Sequence, residues 1–279
     1  MSNIYGTVGY AFLKSNHFKN YILVLADVHS KLPYCDNKIN ISDWFYKNKT
    51  NSNILLEEVP INSITLKELW PESEHTQSLK KFFINNPDIV HAIDIRPLLI
   101  PFSWELNLIN NNNNINLVEY IKLINDFFNV DLKIIKNNII NVYNKKYLNN
   151  SPLGNHFNDI NIKYKNFINK NNVYLNLSIN EIYNKQRHIL EELNNLLDSI
   201  MEWFAIAKMF NFDNNKNMII HTGLFHSHQI IIALIKYYFY NIESIDGINT
   251  ITQIIENDNI DVGCINLPKV IENQLSIIQ

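Results

Sequence analysis

The alternation of apolar and polar residues along the first hundred positions predicts short strands separated by helices. Apolar runs at residues 21–26, 53–56 and 89–93 have the length expected of buried strands. Residues 76–84 carry apolar positions at helical spacing, and Pro87 follows as a stop signal. This alternation predicts an α/β fold with a mainly parallel central sheet flanked by helices.

The rest of the chain contains a segment with a different pattern. Residues 107–185 are rich in asparagine, with helical patches between polar loops, so we expect a helical insertion or cap. Residues 186–210 predict a long amphipathic helix, and residues 218–220 predict a strand that runs into a further helix. We therefore divide the chain into the first half of an α/β domain at 1–106, the insertion, and the second half of the same domain at 186–279.

Titratable side chains follow the ends of the predicted strands. They are Asp27 and His29, then Glu57, then Asp94 and Arg96, and finally His221, His226 and His228. Ligands of an open parallel sheet bind beyond the carboxyl ends of its strands, so we expect these side chains to share one rim. Each residue alone also fits a turn cap, a surface group or a simple ion pair. Their recurrence at successive strand ends favours a shared functional site.

Imidazoles and carboxylates gathered at one rim permit two kinds of chemistry. Asp27, His29, Glu57 and His226 offer the ligand types that a divalent ion such as Mn²⁺, Zn²⁺ or Co²⁺ accepts, and such an ion activates bound water. Alternatively, an imidazole held by a carboxylate activates water without a metal. The remaining histidines fit structural roles; His75, which directly precedes a predicted helix, is the one among them that could reach the rim.

Composition and charge narrow the class of protein. The net charge is −3, from 24 basic and 27 acidic residues without a basic stripe, so nucleic-acid binding is not expected. No apolar stretch reaches the roughly 18 residues that span a bilayer, and no secretory signal is visible. Cys35 and Cys264 are too few for a disulfide scaffold or a Cys-rich zinc site, so we expect two free thiols. These features predict a cytoplasmic protein.

The order of the motifs resembles a superfamily that groups ChaN-type haem-binding proteins, TraB and Tiki proteins, and erythromycin esterases. The matching segments are ADVH at 26–29, ILLE at 54–57, HAIDIRP at 91–97 and GLFH at 223–226. A helix containing Asp198 precedes the last segment, as it does in the superfamily. The resemblance covers about residues 20–105 and 186–245 and leaves out the middle. The first motif has alanine for the superfamily's glycine and aspartate for its glutamate.

The resemblance implies both a site and an activity. It places Asp27, His29, Glu57 and His226 in the site, with Asp94 and Arg96 as neighbours and Asp198 and His221 as further members. Characterised members include metal-dependent peptidases, an esterase and a haem binder. We therefore expect a metal-assisted hydrolase that acts on an ester or amide bond of a small molecule or peptide. Arg96 would steady a substrate carboxylate or an oxyanion, and the insertion would act as a lid.

Two other classes of function stay open on the sequence alone. The first is a binder of haem or another small ligand, because axial histidine and tyrosine side chains are plentiful. The second is a catalytically inactive interaction protein whose rim is a plain polar network.

Overall fold

The computed structural model describes residues 2–28, 31–33, 35–59, 74–102, 115–129, 151–212, 216–248 and 263–276. The chain divides into two compact units. The first is Met1–Ile93 together with Lys208–Gln279, and the second is Asp94–Ala207. The predicted insertion at 107–185 lies within the span of the second unit.

The strands among the described residues all lie in the first unit. They are β1 (Ser2–Tyr5), β2 (Gly9–Ser15), β3 (Tyr21–Asp27), β4 (Ile39–Asn40), β5 (Ser52–Leu56), β6 (Val90–Ala92), β7 (Asn217–Gly223), β8 (Tyr240–Asp246) and β9 (Cys264–Leu267).

The helices are divided between the two units. They are α1 (Ile41–Asn48), α2 (Glu74–Asn85), α3 (Arg96–Leu99), α4 (Leu117–Tyr120), α5 (Lys122–Asn129), α6 (Pro152–Lys170), α7 (Ile179–Lys185), α8 (Arg187–Met209), α9 (Leu224–Tyr238) and α10 (Lys269–Ser276). Helices α3 to α8 belong to the second unit, apart from the end of α8. Within the described residues, none of the helices combines the length and the apolar character needed to cross a membrane.

The central sheet of the first unit has the strand order β6-β5-β7-β3-β2-β8. Strands β6, β5, β7 and β3 are parallel to one another, whereas β2 and β8 run antiparallel at one side. This arrangement confirms the predicted α/β fold with a mainly parallel sheet. The predicted strands at 21–26, 53–56 and 218–220 are the three adjacent strands β3, β5 and β7, so their carboxyl ends meet at one edge.

Burial explains why β3 forms a central strand. Residues Ile22 to Ala26 are fully buried. A continuous apolar run of this kind is typical of a parallel strand that is covered on both faces. At the start of the strand, the Asn217 side chain accepts a hydrogen bond from the Tyr21 backbone N–H at 3.0 Å. The same side chain donates to the carbonyls of Gln274 and Leu275, both at 3.3 Å, and so fastens α10 to β3 and β7.

A second, three-stranded sheet in this unit has the order β4-β1-β9. Its strand β9 pairs antiparallel with β1, with Cys264 opposite Tyr5. A disulfide joins Cys264 to Cys35 across a separation of 229 residues, with their Cα atoms 6.4 Å apart. The expectation of two free thiols is therefore wrong. A strand pairing between the two ends of the chain brings the cysteines together, and no local pattern reveals it.

The second unit has a core of aromatic side chains on its helices. Phe127 of α5, Phe157 of α6 and Trp203 of α8 contact one another in edge-on and tilted ring pairs. The buried Trp203 indole donates a hydrogen bond to the Leu153 carbonyl at 3.1 Å, which satisfies its polar atom. The helix predicted at 186–210 is α8.

Candidate functional site

Three adjacent strands bring two carboxylates to the carboxyl edge of the central sheet. Asp27 is the last residue of β3 and lies opposite Gly223, the last residue of β7. Glu57 directly follows β5, and its Oε2 atom accepts a hydrogen bond from the Gly223 backbone N–H at 2.7 Å. Two interstrand spacings of about 4.8 Å therefore separate the Asp27 and Glu57 backbones, or about 10 Å in all. We call this edge, with the side chains of Asp27 and Glu57, the rim.

Glu57 faces an imidazole at the start of α9. His226 lies in the first turn of this helix, and its Nε2 is 3.5 Å from Glu57 Oε1, with side-chain exposures of 11% and 8%. The Glu57 backbone N–H donates to the His221 carbonyl at 3.1 Å. This bond continues the pairing of β5 with β7 by one residue and fixes the Glu57 backbone. One carboxylate oxygen of Glu57 thus accepts from the backbone while the other faces His226.

Asp27 faces a different imidazole, that of His75 in the first turn of α2. The His75 Nε2 atom is 3.2 Å from Asp27 Oδ2, and the two side chains are only 1% and 2% exposed. Leu79 and Phe82, further along α2, lie in the main core and hold the helix in place. On the sequence alone His75 fits a structural role, and it is the one such histidine that could reach the rim. Its place at the start of the helix that follows β5 was the available signal.

Glycine at position 6 is required by the packing around His75. Gly6 has φ +98°, a backbone conformation that other residues rarely adopt, and a Cβ atom there would lie 2.8 Å from His75 Cβ and from Ile41 Cγ2. The Gly6 carbonyl also lies 3.2 Å from His221 Nε2. His221 is 3% exposed. It therefore ties β7 to the Gly6 turn, as a structural support of the rim.

Two predicted histidines remain, His228 and His29. His228 lies in the second turn of α9 and is half-buried. His29 lies outside the described residues, so its place in the site stays a prediction.

Arg96 is held between two carboxylates of the second unit. Its Nε and Nη2 atoms bind the two oxygens of Asp94 at 2.8 and 3.1 Å. Its Nη1 binds Asp198 Oδ1 at 2.8 Å. Asp94 and Asp198 thus lie together with Arg96, and two negative charges surround one guanidinium. This clamp uses three of the five N–H donors of the guanidinium and balances its charge with two carboxylates, so it favours a positioning role for Arg96.

The predicted metal site cannot be assembled from the described residues alone. In that part of the chain, no three His, Cys, Asp or Glu residues form a group that could hold a metal ion. Asp27 and Glu57 instead each face one imidazole. The four-residue ligand set also includes His29, which is outside the described residues. Each pair by itself offers one carboxylate and one imidazole, fewer protein ligands than a zinc centre uses, and the metal site stays a prediction.

A serine next to His226 is not available as a nucleophile. Ser227 is fully buried. Its hydroxyl is 2.7 Å from Thr222 Oγ1 and lies 3.3 and 3.1 Å from the carbonyls of Leu25 and Thr222, which share its one hydrogen. These contacts hold the side chain away from solvent, between β7 and β3. Ser227 therefore supplies no nucleophile to the Glu57–His226 pair, and water is the simplest one that the pair could activate.

Comparison of this chain with protein-family models, with curated proteins and with solved structures finds no match. The resemblance to the ChaN, TraB, Tiki and erythromycin esterase superfamily therefore stays a prediction, and so do the activities it implies.

Proposed function

We propose that the chain is a hydrolase of an ester or amide bond, in which His226, oriented by Glu57, activates a water molecule. The observation that carries this proposal is the Glu57–His226 pair at the carboxyl edge of three parallel strands. This edge is where open α/β sheets bind their ligands. An imidazole oriented by a carboxylate is a common general base.

Exposure distinguishes the two histidines as candidates for the base. A general base must reach the proton that it removes, either directly or through one water molecule. The His226 side chain is 11% exposed, whereas that of His75 is 1% exposed. His226 is therefore assigned the proton transfer, and the Asp27–His75 pair positions β3 against α2. The 3.5 Å separation of Glu57 and His226 is long for a hydrogen bond, but such bonds often shorten when substrate binds.

The proton transfers of the proposed reaction follow from the side of the imidazole that Glu57 occupies. Glu57 Oε1 faces Nε2, so the hydrogen of the neutral imidazole is assigned to Nε2 and Nδ1 is the basic nitrogen. Nδ1 takes a proton from water, and the resulting hydroxide attacks the carbonyl carbon. The imidazolium then gives this proton to the leaving oxygen or nitrogen. The positive end of α9, whose first turn holds His226, favours the negative charge that develops on the carbonyl oxygen.

The proposal is tested with a panel of p-nitrophenyl esters and fluorogenic peptides. His226→Asn should lower kcat/KM by roughly 10²- to 10⁴-fold, the usual contribution of a general base. His228→Asn is the matched control, because it changes a histidine two residues along the same helix, and it should keep near wild-type turnover.

The assay also includes arms for the other classes of function. It is run with EDTA and with added Mn²⁺, Zn²⁺ or Co²⁺. These arms test the metal dependence that the sequence predicts. Turnover that survives His226→Asn, or no turnover under any of these conditions, would refute the proposal. A Soret band that forms on haem addition and is lost in His226→Asn would favour a haem binder instead.

A further inference from the structure

A segment that follows the rim is fastened to the small sheet by several contacts. We call residues 31–33 and 35–38 the strap; it belongs to the connection between Asp27, at the end of β3, and β4. Cys35 of the strap forms the disulfide with Cys264 of β9. Next to this bond, Gly263 packs so closely against the Pro33 carbonyl oxygen that any side chain at position 263 would clash with it. The close packing of Gly263 against Pro33 and the disulfide at Cys264 therefore fix the strap at two successive residues, 263 and 264.

Two further contacts join the strap to β1. Asn3 Nδ2 donates a hydrogen bond to the Asp36 carbonyl at 2.7 Å in an exposed setting. The Lys38 ammonium lies 3.7 Å from the centre of the Tyr5 ring. A single exposed hydrogen bond and one cation–π contact are weak and reversible. The disulfide is thus the strongest connection between the strap and the small sheet among the described residues.

The small sheet connects this disulfide to the histidines of the rim. The Gly6 backbone N–H donates to the Gly263 carbonyl at 3.3 Å, directly beside Cys264. The Gly6 carbonyl faces His221, and the Tyr5 ring meets the His75 ring edge-on at 6.4 Å between centres. A change in how the strap and β9 are held therefore acts on residues that contact the rim.

Neither cysteine is buried in the structure. Cys35 and Cys264 are each partly exposed, so a thiolate can approach the bond from solvent, which is what thiol–disulfide exchange requires. Stable structural disulfides are commonly buried, whereas exposed ones are more often reversible.

We propose that the Cys35–Cys264 disulfide is a reversible redox latch that holds the strap against β1 and β9, beside residues that contact the rim. A dithiol opens it by exchange, in which two cysteine thiols form as the dithiol becomes a cyclic disulfide. A low-molecular-weight disulfide such as oxidised glutathione closes it again and leaves as two thiols. Any effect on hydrolysis rests on the proposed function, whereas the latch itself does not.

Hydrogen exchange of the full chain measures the latch without a substrate. Thiol titration should find no reactive thiol in protein treated with oxidised glutathione and two after dithiothreitol. Reduction should speed amide exchange in peptides covering the strap by about tenfold or more, because local opening no longer has to break a covalent link. Peptides from α6 should be unchanged, and oxidised glutathione should restore the slow exchange.

The variant Cys35→Ser with Cys264→Ser gives an independent measurement. It should exchange like reduced wild-type protein and should not respond to dithiothreitol. Two reactive thiols in the oxidised sample, unchanged exchange of the strap on reduction, or equal acceleration in α6 would each overturn the latch. If this variant does not fold, the dithiothreitol experiment on wild-type protein still decides. Absence of hydrolysis would count against the proposed function and would leave these exchange results standing.

Discussion

The two arginines of the chain form a natural comparison of a shielded ion pair with an exposed one. Arg96 is 24% exposed and pairs with Asp94 and Asp198, whose side chains are 7% and 19% exposed. Arg187 pairs with Glu191 one helical turn away at 3.3 Å, and both side chains are more than half exposed, at 59% and 57%. Because both arginines lie in the second unit, the same unfolding transition reports on both.

The structure predicts very different costs for removing these two arginines. Breaking a buried pair by deleting one partner costs about 3–5 kcal/mol, because a charge is left in a poorly solvated place. Arg96 is partly exposed, so water offsets some of this penalty, and Arg96→Met should lower the free energy of unfolding by about 2–4 kcal/mol. Arg187→Met removes an exposed pair and should cost about 0–0.5 kcal/mol.

Urea unfolding followed by circular dichroism measures both costs under identical conditions. A double-mutant cycle with Asp198→Asn then isolates the coupling between Arg96 and Asp198, which should exceed about 1 kcal/mol. The corresponding cycle for Arg187 and Glu191→Gln should give less than about 0.5 kcal/mol. Equal costs for the two arginine variants, or no coupling of Arg96 to Asp198, would refute the clamp.

Two further predictions concern the first unit. Burial, together with the Lys208 charge, lowers the pKa of His91 from 6.5 to about 4, so the unfolded chain binds a proton at a pH where the folded chain does not. Stability should therefore fall as the pH drops from about 6.5 towards 4, and His91→Phe should reduce the loss between about pH 7 and 5 by about 1 kcal/mol in urea unfolding. Asn217→Ala removes the bonds to Tyr21, Gln274 and Leu275 and should cost about 2–4 kcal/mol by the same measurement; a cost below about 1 kcal/mol would contradict this account of how α10 is held.

The central sheet could be predicted because its strands carry their own signal. Parallel strands buried on both faces read as continuous apolar runs, as in β3, and polar side chains follow directly at the strand ends. Asp27 and Glu57 were placed at one edge on this basis, and β3, β5 and β7 are neighbours in the structure. The antiparallel strands β2 and β8 were not predicted. Their position depends on pairing with β3 and β2, which local pattern does not encode.

The partners of the predicted side chains were harder to foresee. The contact between Asp27 and His75 spans 48 residues, and it depends on the packing of Leu79 and Phe82 rather than on any motif. The disulfide depends on the antiparallel pairing of β1 with β9 in the same way. In each case, a residue type with several common roles acquires its partner only through tertiary packing.

Arg96 shows a similar limit of prediction. Its position after a strand indicated a functional cation. The structure places this guanidinium between Asp94 and Asp198, so its contacts are those of the ion pair that the sequence left open, and its contact with a substrate stays a prediction. A sequence shows that a cation is present, whereas only the fold shows how many carboxylates compete for it.

The central claim is that Glu57 orients His226 as the base of a hydrolytic reaction, and Glu57→Gln tests it most directly. Glutamine has nearly the same shape, and its carbonyl oxygen can still accept the Gly223 N–H bond, so circular dichroism and the melting temperature should change little. The account predicts that kcat/KM for an ester substrate of the wild-type protein falls by roughly 10²- to 10⁴-fold, mostly in kcat. A Glu57→Gln protein that is folded and hydrolyses this ester at the wild-type rate would contradict the account.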